Sequence, residues 1–181
     1  YFLILGFLCL YGAHRFLIAW LYVRHRKAEP RSVEVVDWPY VTVQLPLFNE
    51  HCVVERLIDS VCQLDYPLDR LEIQVLDDST DETAGLAERS VKEWASKGVD
   101  IVHIHRTDRH GFKAGALEVG TKVAKGDFVA VFDADFIPAA DFLRKTMGYF
   151  SEENIGMVQA RWGHINRDYS LLTQLQGILL D

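Results

Sequence analysis

Hydrophobic and polar positions divide this chain into one continuous apolar stretch and a longer part where short apolar runs alternate with helical stripes. From Tyr1 to Val23 every residue except Gly6, Gly12, His14 and Arg15 is hydrophobic, 19 of 23. A bilayer-spanning helix needs about 20 predominantly apolar residues, so this stretch is long enough. Arg24-His25-Arg26-Lys27 follows as a positive flank, which orients the rest of the chain toward the cytoplasm. Tyr11, Trp20 and Tyr22 suit the membrane interfaces, whereas Arg15 costs about 2.5–3.5 kcal/mol at a helix centre. No A-x-A-like site follows, which speaks against a cleaved signal peptide. An interfacial helix or a core helix satisfies the same composition less well. The expected organisation is a transmembrane helix at 1–23, a polar linker at 24–40 containing Pro30 and Pro39, and a domain over 41–181.

Beyond the linker the period switches repeatedly between strand and helix. Val41–Leu45 predicts a strand ended by Pro46, and Val53, Val54, Leu57, Ile58, Val61 and Cys62 form a helical stripe within 50–64. Leu71–Leu76 predicts a second strand. Ser79-Thr-Asp-Glu82 reads as a capping box opening a helix to about Lys97. A third strand is expected at 100–104, a helix at 113–124, and a fourth strand at Phe128–Phe132. The uninterrupted apolar character of that fourth strand suggests a central position covered on both faces. Helix at 139–150, a fifth strand at 155–160 and a helix from Leu171 complete the pattern. Strand–helix alternation of this kind implies an α/β fold with a mostly parallel sheet and helices on both faces. In such sheets ligands bind beyond the carboxyl ends of the strands.

Composition changes this picture in two ways. The 181 residues carry 19 basic and 26 acidic side chains, a net charge of −7. Residues 1–31 hold five of the basic groups and one acid, which leaves 14 basic and 25 acidic groups to the rest, a net of −11. A domain that acidic is a poor match for nucleic acid. Three cysteines (Cys9, Cys52, Cys62) make no disulfide framework and no CxxC spacing. The absence of an initiator Met suggests a fragment or a processed piece.

Polar groups collect at the predicted strand ends. Asp133-x-Asp135 follows the fourth strand, and in extended chain positions i and i+2 share a side. Two carboxylates so placed can grip a hard divalent cation that keeps waters and accepts phosphate oxygens; the same residues would also serve in a turn or cap. Asp77-Asp78 ends the second strand; one could accept from a base N–H or a ribose hydroxyl while the other caps the helix. Lys113, in His110-Gly-Phe-Lys-Ala-Gly115 at a helix start, suits a diphosphate. Glu50 either stabilises its helix or, with Asn49, closes a nucleoside pocket. Of the histidines beyond the leader (His51, His103, His105, His110, His164) none shows a metal spacing, and most read as structural or surface.

These motifs jointly resemble family 2 glycosyltransferases of the GT-A fold, above all the membrane-embedded cellulose synthase-like mannan and glucan synthases. The resembling stretches are 43–50, 74–81, 111–117, 131–136 and 158–162. The resemblance implies an inverting transfer of hexose from a nucleotide sugar (UDP-glucose or GDP-mannose) to a glycan or lipid acceptor, assisted by Mg²⁺ or Mn²⁺, at a membrane of inner, plasma or Golgi type. It implies that Asp78, with or without Asp77, contacts base or ribose, that Pro46 and Glu50 line the nucleoside pocket, and that Lys113 approaches base or diphosphate. Asp133 and Asp135 would be the catalytic metal and donor motif. Gln159, Arg161 and Trp162 would lie on the sugar or acceptor side. The family's later Q-x-x-R-W motif and its general base are expected beyond Asp181, so this segment would hold the donor half of a site. Two alternatives are a nucleotide-sugar-binding module without transfer and an aspartyl-nucleophile phosphatase, the latter fitting poorly because Ile137 stands where it needs Thr or Val.

Overall fold

The structure, a computed structural model, describes residues 1–25, 33–151, 154–161, 163–164 and 166–180. It forms two compact units, residues 1–32 and 33–181. In the first unit α1 (Phe2–His25) is one helix of 24 residues, apolar on all faces, with no buried residue. Its length and composition suffice to cross a membrane. Arg24 lies over the Trp20 ring at 5.6 Å.

The second unit is built on a four-stranded, wholly parallel sheet: β1 (Val41–Leu47), β2 (Leu71–Asp77), β3 (Ile101–His105) and β4 (Phe128–Val131), in the order β3-β2-β1-β4. The helices are α2 (Val54–Cys62), α3 (Thr83–Ser96), α4 (Phe112–Val123), α5 (Phe142–Met147) and α6 (Leu171–Leu180). Alternation in β1 and β2 explains the layering. Val41, Val43, Leu45, Ile73 and Val75 join α2, α3 and α5 in the main apolar core. The intervening Thr42, Gln44, Glu72 and Gln74 are equally buried but polar, and satisfy one another: Thr42 Oγ1 donates to Glu72 (2.7 Å) and Gln44 Nε2 to Gln74 (3.0 Å). Gly120 of α4 lies against that polar ladder, where a Cβ would fall 2.7 Å from the Gln44 amide nitrogen. Gly126 is tighter still, since its Cβ would meet the Thr42 backbone nitrogen at 2.4 Å.

Several expectations need correction. β4 is not central. Among the described residues it pairs only with β1 and forms a sheet edge, with Val129 and Val131 each more than 40% exposed. The expected fifth strand at 155–160 is irregular chain. It borders, together with Asp127 and Val129 at the β4 edge, a cleft of about 400 Å³. β1 does not stop at Pro46 but continues to Leu47. There β4 has already ended, so the missing Pro46 N–H deprives no partner. The helix at 50–64 shrinks to α2, after a turn in which Val53 and Val54 donate to the Glu50 carbonyl. The helix at 139–150 is shortened to α5 plus a 3₁₀ turn at Gly148–Ser151. The capping box does not form, because the Ser79 hydroxyl accepts from the Asn49 N–H (2.9 Å) and Asp81 instead accepts from the Thr83 N–H (2.9 Å) as α3 begins.

Candidate functional site

Strand order fixes where a ligand fits. The chain runs β1, β2, β3 to one side of β1 and then crosses to β4 on the other, which makes the crevice beyond the carboxyl ends of β1 and β4 the topological switch point. The loop after β1 (Phe48–Glu50) and the turn after β4 (Asp133–Asp135) flank it. The loops after β2 and β3 border the same edge.

The β1 and β2 loops are laced together through Asn49, whose backbone is left-handed (φ 56°). Its N–H donates to Ser79 Oγ, and its side-chain oxygen accepts from the Thr80 N–H (2.9 Å). Pro46 is half-buried in β1 and Glu50 is exposed on the loop. The Asp77-Asp78 pair divides its work, as adjacent side chains on a strand end must. Asp77 is fully buried. Its Oδ1 accepts from the Ser79 N–H (2.8 Å), and its Oδ2 meets His103 Nε2 (2.9 Å) and His105 Nδ1 (3.0 Å). Burial alone would raise this carboxyl; the hydrogen bonds from His103, Ser79 and His105 outweigh it and hold the pKa at about 2. Asp78 receives a two-pronged guanidinium, Arg106 Nε to Oδ1 (2.7 Å) and Nη2 to Oδ2 (2.6 Å). Hydrogen bonding to Asp78 raises the Arg106 pKa, against desolvation.

The β3–α4 loop carries the cations. Arg106 also donates to the Phe112 carbonyl (3.1 Å). Arg109 stacks 3.2 Å over the Phe48 ring and lies 5.1 Å from the centre of the Phe112 ring, with its Nε buried. Gly111 (φ 73°) and Phe112 (φ 51°) turn the chain into α4 through left-handed backbone, a strained entry for Phe of the kind found at binding sites. A Cβ on Gly115 would lie 2.1 Å from the His110 carbonyl, so glycine is required for the loop to close on the helix. Lys113 extends from this first turn and pairs with Asp133 across the crevice; both are about half exposed. Asp135 is exposed beside it. Two accessible carboxylates and an adjacent ammonium are oxygen donors and a charge partner suited to a hard divalent ion carrying a phosphate group. Gln159 and Arg161 are exposed in irregular chain, and Trp162 lies outside the described residues.

Sequence reasoning overlooked Arg106 and Arg109 as individual groups, and it set aside His103 and His105. The signal for the two histidines was present: His-x-His on a strand puts both rings on one face, and the β2–β3 register sets His105 opposite Asp77.

An α/β unit with its polar groups at a switch point defines a nucleotide-binding enzyme fold, and the GT-A type fits it. The chain belongs to glycosyl transferase family 2, which it matches over residues 42–178. It is 48% identical over 149 residues to Glucomannan 4-beta-mannosyltransferase 9 of Arabidopsis thaliana, covering 80% of this chain and 28% of that protein. Identity to Glucomannan 4-beta-mannosyltransferase 1 of Oryza sativa subsp. japonica is 46% over 149 residues, covering 80% and 29%. Among solved structures, the Mannosyltransferase PcManGT from Pyrobaculum calidifontis in complex with GDP-Man and Mn²⁺ superposes with a TM-score of 0.68 at 30% identity, over 82% of this chain and 44% of that one. The chain thus spans less than a third of the length of the curated relatives it matches. Membership of this family removes the phosphatase alternative.

Proposed function

We propose that this chain is the donor-binding part of an inverting β-mannosyltransferase that takes GDP-mannose and extends a glycan acceptor at a membrane. The observation that carries the reading is the Lys113–Asp133 pair across the β1/β4 crevice, with Asp135 alongside. GDP-linked mannose is favoured over UDP-glucose by the mannosyl specificity in the names of the relatives and by the GDP-Man in the solved neighbour.

In this reading Asp78, held still by Arg106, receives the base or ribose, with Pro46 and Glu50 forming the adjoining wall. Asp77, buried one residue earlier, braces Asp78 from behind. Lys113 leaves Asp133 for the donor diphosphate and offsets part of its charge. Asp133 and Asp135 hold Mg²⁺ or Mn²⁺, which when bound supplies electrostatic stabilisation to the departing nucleoside diphosphate. Gln159 and Arg161 serve the sugar or acceptor side, to which the resemblance also assigns Trp162. The base that accepts the proton of the attacking hydroxyl is none of these residues. Helix α1 anchors the domain to the membrane with the donor site on the cytoplasmic face, as the Arg24–Lys27 flank favours.

Calorimetric titration of the detergent-solubilised chain with GDP-mannose, GDP, UDP-glucose and UDP, each with and without Mn²⁺, tests this reading. GDP-mannose should bind in a Mn²⁺-dependent manner. Asp135→Asn should abolish that dependence with an unchanged far-UV circular dichroism spectrum. Equal Mn²⁺-dependent affinity in Asp135→Asn would show that the ion sits elsewhere.

A further inference from the structure

The cluster of Asp77, His103 and His105 is built more elaborately than a strand end needs. Asp77 has no solvent exposure, and its ion-pair partners among the described residues are two imidazoles. The nearby guanidinium of Arg106 is directed to Asp78. A carboxylate so buried must be neutralised by a paired cation or a metal, and a neutral imidazole supplies no charge. Both rings converge on the same oxygen, Oδ2, at 2.9 and 3.0 Å, rather than taking one oxygen each. The three ligand atoms lie within 4.8 Å of one another. Ligands of a tetrahedral ion bound at about 2.0–2.1 Å stand a little over 3 Å apart; the two imidazole–carboxylate spacings are within a few tenths of an ångström of that, and the two imidazole nitrogens lie within 4.8 Å of each other.

The surroundings fit the same purpose. Asp77 and His105 are the last pair of the β2–β3 ladder, and His103 stands opposite Val75 two residues earlier on β3. All three ligands therefore sit on paired strand backbone. The other Asp77 oxygen is fixed by the Ser79 N–H, the kind of outer contact that orients a ligating carboxylate. His105 is partly exposed and lines an open cleft of about 610 Å³ with Arg106, His110 and Gly111, which provides an entry path.

We infer that Asp77 Oδ2, His103 Nε2 and His105 Nδ1 form a second metal site, separate from Asp133 and Asp135, selective for an imidazole-preferring transition ion of the Zn²⁺ class. Two nitrogens and one carboxylate are poor ligands for Mg²⁺ and good ones for Zn²⁺ or Co²⁺. The ion neutralises the buried carboxylate and locks the β2 and β3 ends together directly behind Asp78. Its occupancy does not depend on a nucleotide sugar.

The full chain, stripped of metal with a chelator, is titrated with Co²⁺ while the visible d–d absorption is followed, and with Zn²⁺ against a chromophoric competitor. One equivalent should bind, with the absorption intensity of a four-coordinate site. His103→Gln and His105→Gln should each weaken Zn²⁺ at least 100-fold, whereas Asp133→Asn should change it less than two-fold. Zn²⁺ should raise the Tm of the parent chain and of Asp133→Asn but not of the His103→Gln/His105→Gln double variant, whose fold is checked by circular dichroism. Absence of the Co²⁺ band, its persistence in the double variant, or its loss in Asp133→Asn would each overturn the assignment. The two histidines would then be a hydrogen-bonding clamp on Asp77. Mn²⁺-dependent GDP-mannose binding, measured on the same variants, reports separately on the donor site.

Discussion

Replacing Arg106 with Met isolates the ion pair that ties Asp78, a proposed donor-binding carboxylate, to the scaffold. Asp78 and Arg106 are 3% and 13% exposed at their side chains, and two short hydrogen bonds join them. Charge centres about 4 Å apart at an effective dielectric near 20 attract by about 4 kcal/mol. Removing one partner of a buried pair typically costs about 3–5 kcal/mol, because the other charge stays behind unpaired. Arg106→Met also loses the donations to the His110 and Phe112 carbonyls that pin the β3–α4 loop. We expect a loss of about 3–4 kcal/mol, seen as a urea midpoint lower by roughly 1.5–2 M if the slope is about 2 kcal/mol/M. If the loss comes from the stranded Asp78 charge, Asp78→Asn should recover most of it in the double variant, with a coupling of at least about 2 kcal/mol. A loss under about 1 kcal/mol, or additive single effects, would refute the claim that the pair holds this end of β2.

Other expectations follow from packing and from thiol chemistry. Gly126→Ala would set a Cβ 2.4 Å from the Thr42 nitrogen and 2.8 Å from the Val41 carbonyl carbon, both on the backbone of the central strand. It should destabilise by about 1–3 kcal/mol in urea titration, and a neutral result would mean that the 124–127 turn can move away from β1. Burial, with Asp59 adding to it, pushes the Cys62 thiol up to about 12. At pH 8 its thiolate is on the order of one part in ten thousand. Mass spectrometry after iodoacetamide should find label on exposed Cys52 and none on Cys62 until the chain is denatured; comparable labelling rates in the native state would contradict the core placement.

What the residues disclosed, and what they hid, follows from where each interaction is made. Strand–helix alternation was legible because β1 and β2 repeat with period two and α2 carries a stripe, patterns written within single segments. The strand-end motifs were legible because Asp-x-Asp and Lys-Ala-Gly are local too. Lateral position in the sheet was not, since it depends on a partner far along the chain. Phe128–Phe132 is as apolar as a central strand, yet among the described residues only β1 pairs with it. Ile155–Ala160 has strand composition but, among the described residues, pairs with no strand. The capping box failed for the same reason: the Ser79 hydroxyl that should cap α3 is claimed by Asn49, thirty residues earlier.

The histidines are the sharpest case. His103 and His105 mean little by themselves on β3. They acquire a role only because the parallel register brings β2 alongside and sets Asp77 against both rings. Metal signatures sought along the sequence are helical or loop spacings. A site shared between neighbouring parallel strands has no such spacing, only a His-x-His and a distant acid at a strand end. Once the register is known, the buried charge of Asp77 demands a partner, and the candidates reduce to an imidazolium or a metal ion. Because these two differ in a visible absorption band, a question raised by charge balance at one strand end can be decided without any measurement of glycosyl transfer.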